Sequence, residues 1–85
     1  MKYQRLYTNS ERYYSVGIDE ETGRYVMEVV ITWIAWYSIY FWLSDEEATE
    51  FKSDPNALTD LSEEMAADKG EGTYRDRLIY SEKVR

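Results

Sequence analysis

One stretch of the chain is almost wholly apolar. Residues 25–43 (YVMEVVITWIAWYSIYFWL) contain one charged residue, Glu28, and are rich in the β-branched and aromatic side chains that favour strands. As a single strand this stretch would be about 63 Å long at roughly 3.3 Å per residue, which is too long for so small a domain. We therefore expect a break near residues 33–35 and two antiparallel strands, 25–32 and 36–43, although no glycine, asparagine or proline marks a tight turn there.

A hairpin signal precedes this stretch. Residues 12–18 (RYYSVGI) are strand formers, and residues 19–23 (DEETG) have the composition of a turn. The two signals predict a three-stranded antiparallel meander over residues 11–43, preceded by an N-terminal arm over residues 1–10.

The spacing of apolar residues becomes helical after Leu43. Ser44 to Glu47 have the S-x-x-E form of a capping box, which predicts a helix that starts there and ends near Ser53, with Ala48 and Phe51 facing inward.

A second helix is expected to follow at once. Asp54 suits its N-cap and Pro55 its first position, where a missing N–H has no consequence. The inward positions would be Leu58, Leu61 and Met65, and Gly70 would end the helix.

The predicted fold is one α+β domain over residues 1–85. It consists of a three-stranded antiparallel meander followed by two short helices, within residues 44–70, packed on one sheet face. Residues 71–85 form a tail, in which residues 78–80 would make the sheet four-stranded.

Composition removes most enzyme classes. The chain has no cysteine and no histidine, so it lacks thiol nucleophiles, the commonest general base and the usual zinc ligands. We expect no cofactor, no metal and no catalytic residue. Absence of cysteine and of an apolar leader favours a cytoplasmic protein.

The net charge of −7 is concentrated in one part of the sequence. Residues 1–43 carry −1, residues 44–72 carry −8 and residues 73–85 carry +2. Such a surface repels nucleic acid and suits a basic protein partner, although acidity also serves solubility. The residues expected to form this acidic surface are Asp45, Glu46, Glu47, Glu50, Glu63 and Glu64.

Both faces of the predicted sheet are apolar, and two short helices cover one of them. The other face predicts a homodimer interface, because exposed aromatic residues dominate binding energies. Its expected members are Val26, Val30, Trp36, Tyr40 and Trp42. The N-terminal arm, with Tyr3, Leu6 and Tyr7, or the C-terminal strand would be the alternative cover.

Three hypotheses about function remain. The first is a homodimeric, non-enzymatic protein-binding domain with an acidic helical surface. The second is a ligand-binding or carboxylate-based enzymatic domain, with a pocket formed by Trp33, Trp36 and Tyr40 around Glu28. Against it, Glu28 would point to solvent or pair with an arginine such as Arg24 or Arg77. The third is a single-span membrane protein that uses residues 25–43, for which the aromatic and β-branched content is unfavourable.

Overall fold

Five antiparallel strands follow one another across a single sheet in chain order. They are seen in a computed structural model that describes residues 1–32 and 36–82. The strands are β1 (Tyr3–Asn9), β2 (Tyr14–Asp19), β3 (Tyr25–Ile31), β4 (Tyr37–Trp42) and β5 (Leu78–Ser81). The helices α1 (Asp45–Ser53) and α2 (Thr59–Asp68) lie between β4 and β5, and a short 3-10 helix (Arg75–Arg77) precedes β5. The predicted α+β class is confirmed, but the sheet has five strands instead of three or four.

The first strand was not predicted. Residues 1–10 were expected to be an arm, whereas Tyr3–Asn9 pair with β2 along the edge of the sheet. The register shifts between Arg5 and Tyr7, so these two residues lie on opposite faces of the sheet at a bulge. The bulge interrupts the two-residue alternation by which a strand is recognised in a sequence.

The long apolar stretch does form two strands. Its predicted boundaries, 25–32 and 36–43, agree with β3 and β4 to within one residue at each end. The expected break at residues 33–35 lies outside the described residues. The extra strand expected at residues 78–80 is present as β5, which pairs with β4.

The capping box of α1 is confirmed in both directions. The backbone N–H of Glu47 donates to Ser44 Oγ at 3.2 Å, and the backbone N–H of Ser44 donates to Glu47 Oε1 at 2.8 Å. Ala48 and Phe51, which were expected to face inward, are buried.

The predicted start of α2 was wrong by four residues. Asp54 caps a turn, not the helix, because its Oδ1 accepts the backbone N–H of Asn56 at 3.0 Å, and the helix begins only at Thr59. Contacts with the sheet hold this turn: Tyr7 donates its hydroxyl to Asn56 Oδ1, and the hydroxyls of Tyr14 and Thr59 are 3.1 Å apart. These tertiary hydrogen bonds outweigh the local preference for a proline-initiated helix.

The main core lies between the helices and one face of the sheet. Met27 and Phe41, from the central strands, pack with Leu58 and Met65, and all four are buried. The helices therefore cover the side of the sheet formed by the odd-numbered residues of β3 and β4.

Candidate binding surface

We call the other side of the sheet the open face. It carries Val26, Glu28 and Val30 of β3, and Ser38, Tyr40 and Trp42 of β4, together with their cross-strand neighbours. Four of the five predicted interface residues lie on the open face, and Trp36 lies at its end, just before β4.

A buried ion pair lies near the centre of the open face. Glu28 is only 4% exposed, although no helix covers it. Arg5 donates from Nη2 to both carboxylate oxygens, at 2.9 and 3.1 Å, and from Nε to Oε1 at 3.2 Å. Ser38 Oγ donates to Oε2 at 2.9 Å. Glu28 thus pairs with an arginine, as one hypothesis held, but with Arg5 and not with Arg24 or Arg77.

Those two arginines are engaged elsewhere. The guanidinium of Arg24 lies 4.2 Å from the ring centroid of Trp42, and Arg77 binds Glu47. Sequence reasoning missed Arg5 because it assigned residues 1–10 to an arm, where no strand register relates Arg5 to Glu28.

Tyr3 covers part of the open face. Its ring packs on Gly17, where an added Cβ would stand 2.5 Å from Tyr3 Cε1, and its centroid is 5.3 Å from that of Tyr40. The Tyr3 hydroxyl is buried without a hydrogen-bond partner. Burial, and secondly the negative charge of Glu28, raise the pKa of Tyr3 well above its ordinary range. The chain thereby covers much of its own sheet with β1, the alternative cover considered from the sequence.

The predicted interface residues differ in how much of them solvent can reach. Val26 is fully buried within the monomer, and Val30, Tyr40 and Trp42 are partly buried. Trp36 is 68% exposed. Burial, followed by the charge of Glu28, raises the pKa of Tyr40, whose hydroxyl stands 3.5 Å from Glu28 Oε2.

Two further exposed aromatic residues border the open face. Tyr13 is 46% exposed and packs edge-to-face against Trp36, and Tyr80 is 57% exposed and pairs with Tyr40 across β4 and β5. The sequence offered a signal for Tyr80, since residues 78–80 were expected to extend the sheet. Tyr13 was included in the first predicted strand, but nothing local shows that it meets Trp36.

A shallow groove of about 270 Å³ runs beside Trp36. Val30, Tyr13, Thr8 and Ser15 line it, whereas Glu28 and Tyr40 do not. The predicted aromatic pocket around Glu28 therefore does not coincide with this groove. Its third wall, Trp33, lies outside the described residues.

The six acids of the predicted acidic surface fall into two groups. Glu47, Glu63 and Glu64 bind Arg77, Arg12 and Tyr74 respectively. The side chains of the remaining three make no hydrogen bond or ion pair within residues 1–32 and 36–82, and all three are exposed: Asp45, Glu46 and Glu50. Half of the predicted surface thus serves internal contacts.

No protein-family model matches the chain, and neither a curated protein nor a solved structure matches it significantly. Any functional inference therefore rests on the geometry above.

Residues 25–43 contribute β3 and β4, two antiparallel strands, and so do not form the helix that a membrane span would need. In the part of the chain that the structure describes, no helix is long and apolar enough to cross a membrane, and no cluster of acidic side chains is arranged to hold a metal ion.

Proposed function

We propose that this protein is a non-enzymatic protein-binding domain that acts through its open face, and that its first partner there is a second copy. The supporting observation is that the exposed aromatic residues Trp36, Tyr13 and Tyr80 all border this face. Tryptophan and tyrosine contribute most of the energy at protein interfaces, and monomers seldom expose them in groups.

The distribution of charge favours this orientation. The Arg5–Glu28 pair has no net charge, and Arg24 lies against Trp42. By contrast, residues 44–72, which contain both helices, carry −8. Two copies that met through their helices would repel each other, whereas pairing through the open faces keeps the acidic layers apart.

The acidic helices then remain accessible to a basic protein partner. Asp45, Glu46 and Glu50 are the residues best suited to contact it, because their side chains make no hydrogen bond or ion pair in the described chain. The cytoplasmic location expected from the lack of cysteine belongs to the same proposal.

The open face limits the affinity of pairing. Five strands about 4.8 Å apart and about six residues long, at roughly 3.3 Å each, give a sheet of about 24 by 20 Å. Stable interfaces bury roughly 800 Å² on each partner, so we expect a dissociation constant in the micromolar range.

Light scattering on a sizing column, from about 10 μM to about 1 mM protein, tests the pairing. We expect the mass to rise from 10.2 kDa towards twice that value. Tyr80→Glu should keep the chain monomeric, because it places a charge on the open face. Gln4→Glu is the matched control: Gln4 is exposed and pairs with Ile18, so it lies on the opposite side of the sheet edge. A monomer at every concentration, or equal behaviour of both variants, would contradict pairing through this face.

Calorimetry with an octalysine peptide tests the acidic surface. Replacing Asp45 with Asn, and Glu46 and Glu50 with Gln, should weaken binding about tenfold at low salt. The control removes three exposed acids away from the helices, Glu11, Glu20 and Glu21, and therefore has the same net charge. Equal weakening in both triple variants would show attraction to net charge alone and would remove this surface from the proposal.

A further inference from the structure

Tyr13 and Trp36 form an aromatic platform at one end of the open face. Their ring centroids are 5.7 Å apart and their planes meet at 83°. The backbone N–H of Val30 donates to the carbonyl oxygen of Tyr13 at 2.9 Å, which fixes Tyr13 beside β3, and Val30 pairs with Ser38, two residues beyond Trp36. The platform is therefore assembled by the sheet from residues 23 positions apart.

The groove beside the platform has apolar walls and a floor of hydroxyl groups. Trp36, Tyr13 and Val30 provide the walls. The hydroxyls of Thr8 and Ser15 are 3.0 Å apart and bond to each other. About 270 Å³ accommodates one long side chain, not a folded element.

Tyr13 is held in a conformation that its side chain disfavours. Its φ is +59°, in the left-handed region where glycine and asparagine are common and bulky residues are rare. A turn bond from the backbone N–H of Arg12 to Asn9 Oδ1 holds the segment in place. Strained residues of this kind gather at binding sites, where the side chain itself is needed. In this platform the side chain supplies one of the two rings.

Cations on aromatic rings are a recurring contact in this chain. Arg24 lies over Trp42, Lys52 over Tyr25 and Arg77 over Tyr74, at 4.2, 5.0 and 5.2 Å from the ring centroids. Within the described residues, no cation of this chain lies over Trp36, although tryptophan is the strongest aromatic partner for a cation.

We propose that the Tyr13–Trp36 platform binds an arginine side chain of the basic protein partner. This inference rests on the proposed function and names how that partner is recognised. A guanidinium group stacks on the indole of Trp36, and its methylene stem lies along Val30 in the groove. The net charge of −7 attracts a cation to a surface that would otherwise favour an apolar side chain.

The test is a titration of ¹⁵N-labelled full-length protein with the peptide acetyl-Gly-Gly-Arg-Gly-Gly-amide, followed at the indole N–H of Trp36. The same peptide with citrulline in place of arginine keeps the shape and hydrogen-bonding groups but lacks the charge. A leucine peptide tests apolar binding. We expect a dissociation constant of about 1 mM for the arginine peptide, and binding at least about tenfold weaker for the other two.

Two variants complete the experiment. Trp36→Ala should abolish the response, and its exposed position makes a folding defect unexpected. Tyr13→Asn should raise the melting temperature by about 5 °C, because asparagine tolerates the left-handed conformation, and should weaken arginine binding about fivefold. Greater stability combined with weaker binding separates a binding role from a structural one.

Several outcomes would overturn the inference. Equal binding of the arginine and citrulline peptides would exclude cation recognition, and preferred binding of the leucine peptide would make the groove an apolar site. An arginine response that persists in Trp36→Ala, or that maps to Asp45 and Glu50, would place binding on the acidic helix. Concentration-dependent shifts of Trp36 without peptide, combined with no arginine response, would identify a second copy as the occupant. A chain that stays monomeric but binds arginine would remove self-pairing and keep the platform.

Discussion

Arg5 reaches across a neighbouring strand to hold a buried carboxylate. It lies on β1, yet its Nη2 is 2.9 Å from Oε1 of Glu28 on β3, two strands away. The strand between them presents Gly17 opposite Arg5, and a residue without a side chain leaves room for the guanidinium to pass. The side chain of Glu28 is 6% exposed and that of Arg5 is 53% exposed, so the pair is buried at one end only.

This pairing predicts a measurable coupling. Arg5→Met should lower the free energy of unfolding by about 2 kcal/mol, because it leaves the buried carboxylate of Glu28 without its cation. In a double-mutant cycle with Glu28→Gln, monitored by urea denaturation, we expect a coupling energy of about 1 kcal/mol. Arg75→Met, at an exposed arginine, should change stability by less than about 0.5 kcal/mol. Additive effects of the two substitutions would mean that the pair contributes nothing of its own.

Gly17 should tolerate no side chain. An added Cβ would overlap the carbonyl oxygen of Gln4 and stand 2.5 Å from Tyr3 Cε1, so Gly17→Ala should lower the free energy of unfolding by about 3 kcal/mol. Gly23→Ala is the control, since Gly23 has nothing within 4 Å and should lose only about 1 kcal/mol through its positive φ of 76°. Equal losses in thermal denaturation would contradict the close approach of Tyr3.

Tyr3→Phe should stabilise the protein. The hydroxyl is buried without a partner, so its removal should raise the free energy of unfolding by up to about 1 kcal/mol at neutral pH. The exposed Tyr80 provides a control, because Tyr80→Phe should be close to neutral. A destabilised Tyr3→Phe would show that the hydroxyl makes a bond in solution.

The same tyrosine predicts a loss of stability in alkali. Burial raises the pKa of Tyr3 above its ordinary value of 10.0, so the folded state keeps the phenol neutral. The resulting stabilisation is present below pH 10 and is lost as the pH rises above that value, where the unfolded chain ionises. Between about pH 9 and 11, wild type should lose more stability than Tyr3→Phe. Parallel curves would contradict the raised pKa.

Glu47 predicts the opposite dependence in acid. Burial acts to raise the pKa of this carboxyl, but hydrogen bonds from Arg77 and Ser44 outweigh burial and lower the pKa below its ordinary value of 4.5. The contribution to stability is therefore present above pH 4.5 and is lost as the pH falls below it. Glu47→Gln should be less stable at neutral pH and should lose less on acidification. Glu50→Gln, at an exposed acid, should keep the wild-type slope.

Most local structure could be predicted because its causes lie close together in the sequence. The capping box joins Ser44 to Glu47, three residues away, and the turn after β2 closes through Asp19 and Gly23. The division of the apolar stretch into β3 and β4 followed from its length alone. The error at Asp54 and Pro55 has a tertiary cause, since bonds from Tyr7 and Tyr14 hold that segment as a turn.

The sequence by itself determined which segments become helices and central strands, and that an aromatic sheet face would remain without a helical cover. Only the tertiary structure decided how that face is divided. The bulge at Arg5–Tyr7 turns Tyr3 and Arg5 towards the open face and Tyr7 towards the helices. Strand order and register then bring Arg5 to Glu28 and Tyr13 to Trp36. No local pattern encodes these meetings, because they depend on backbone pairing between distant segments and on a one-residue shift that reverses the side on which every following side chain lies.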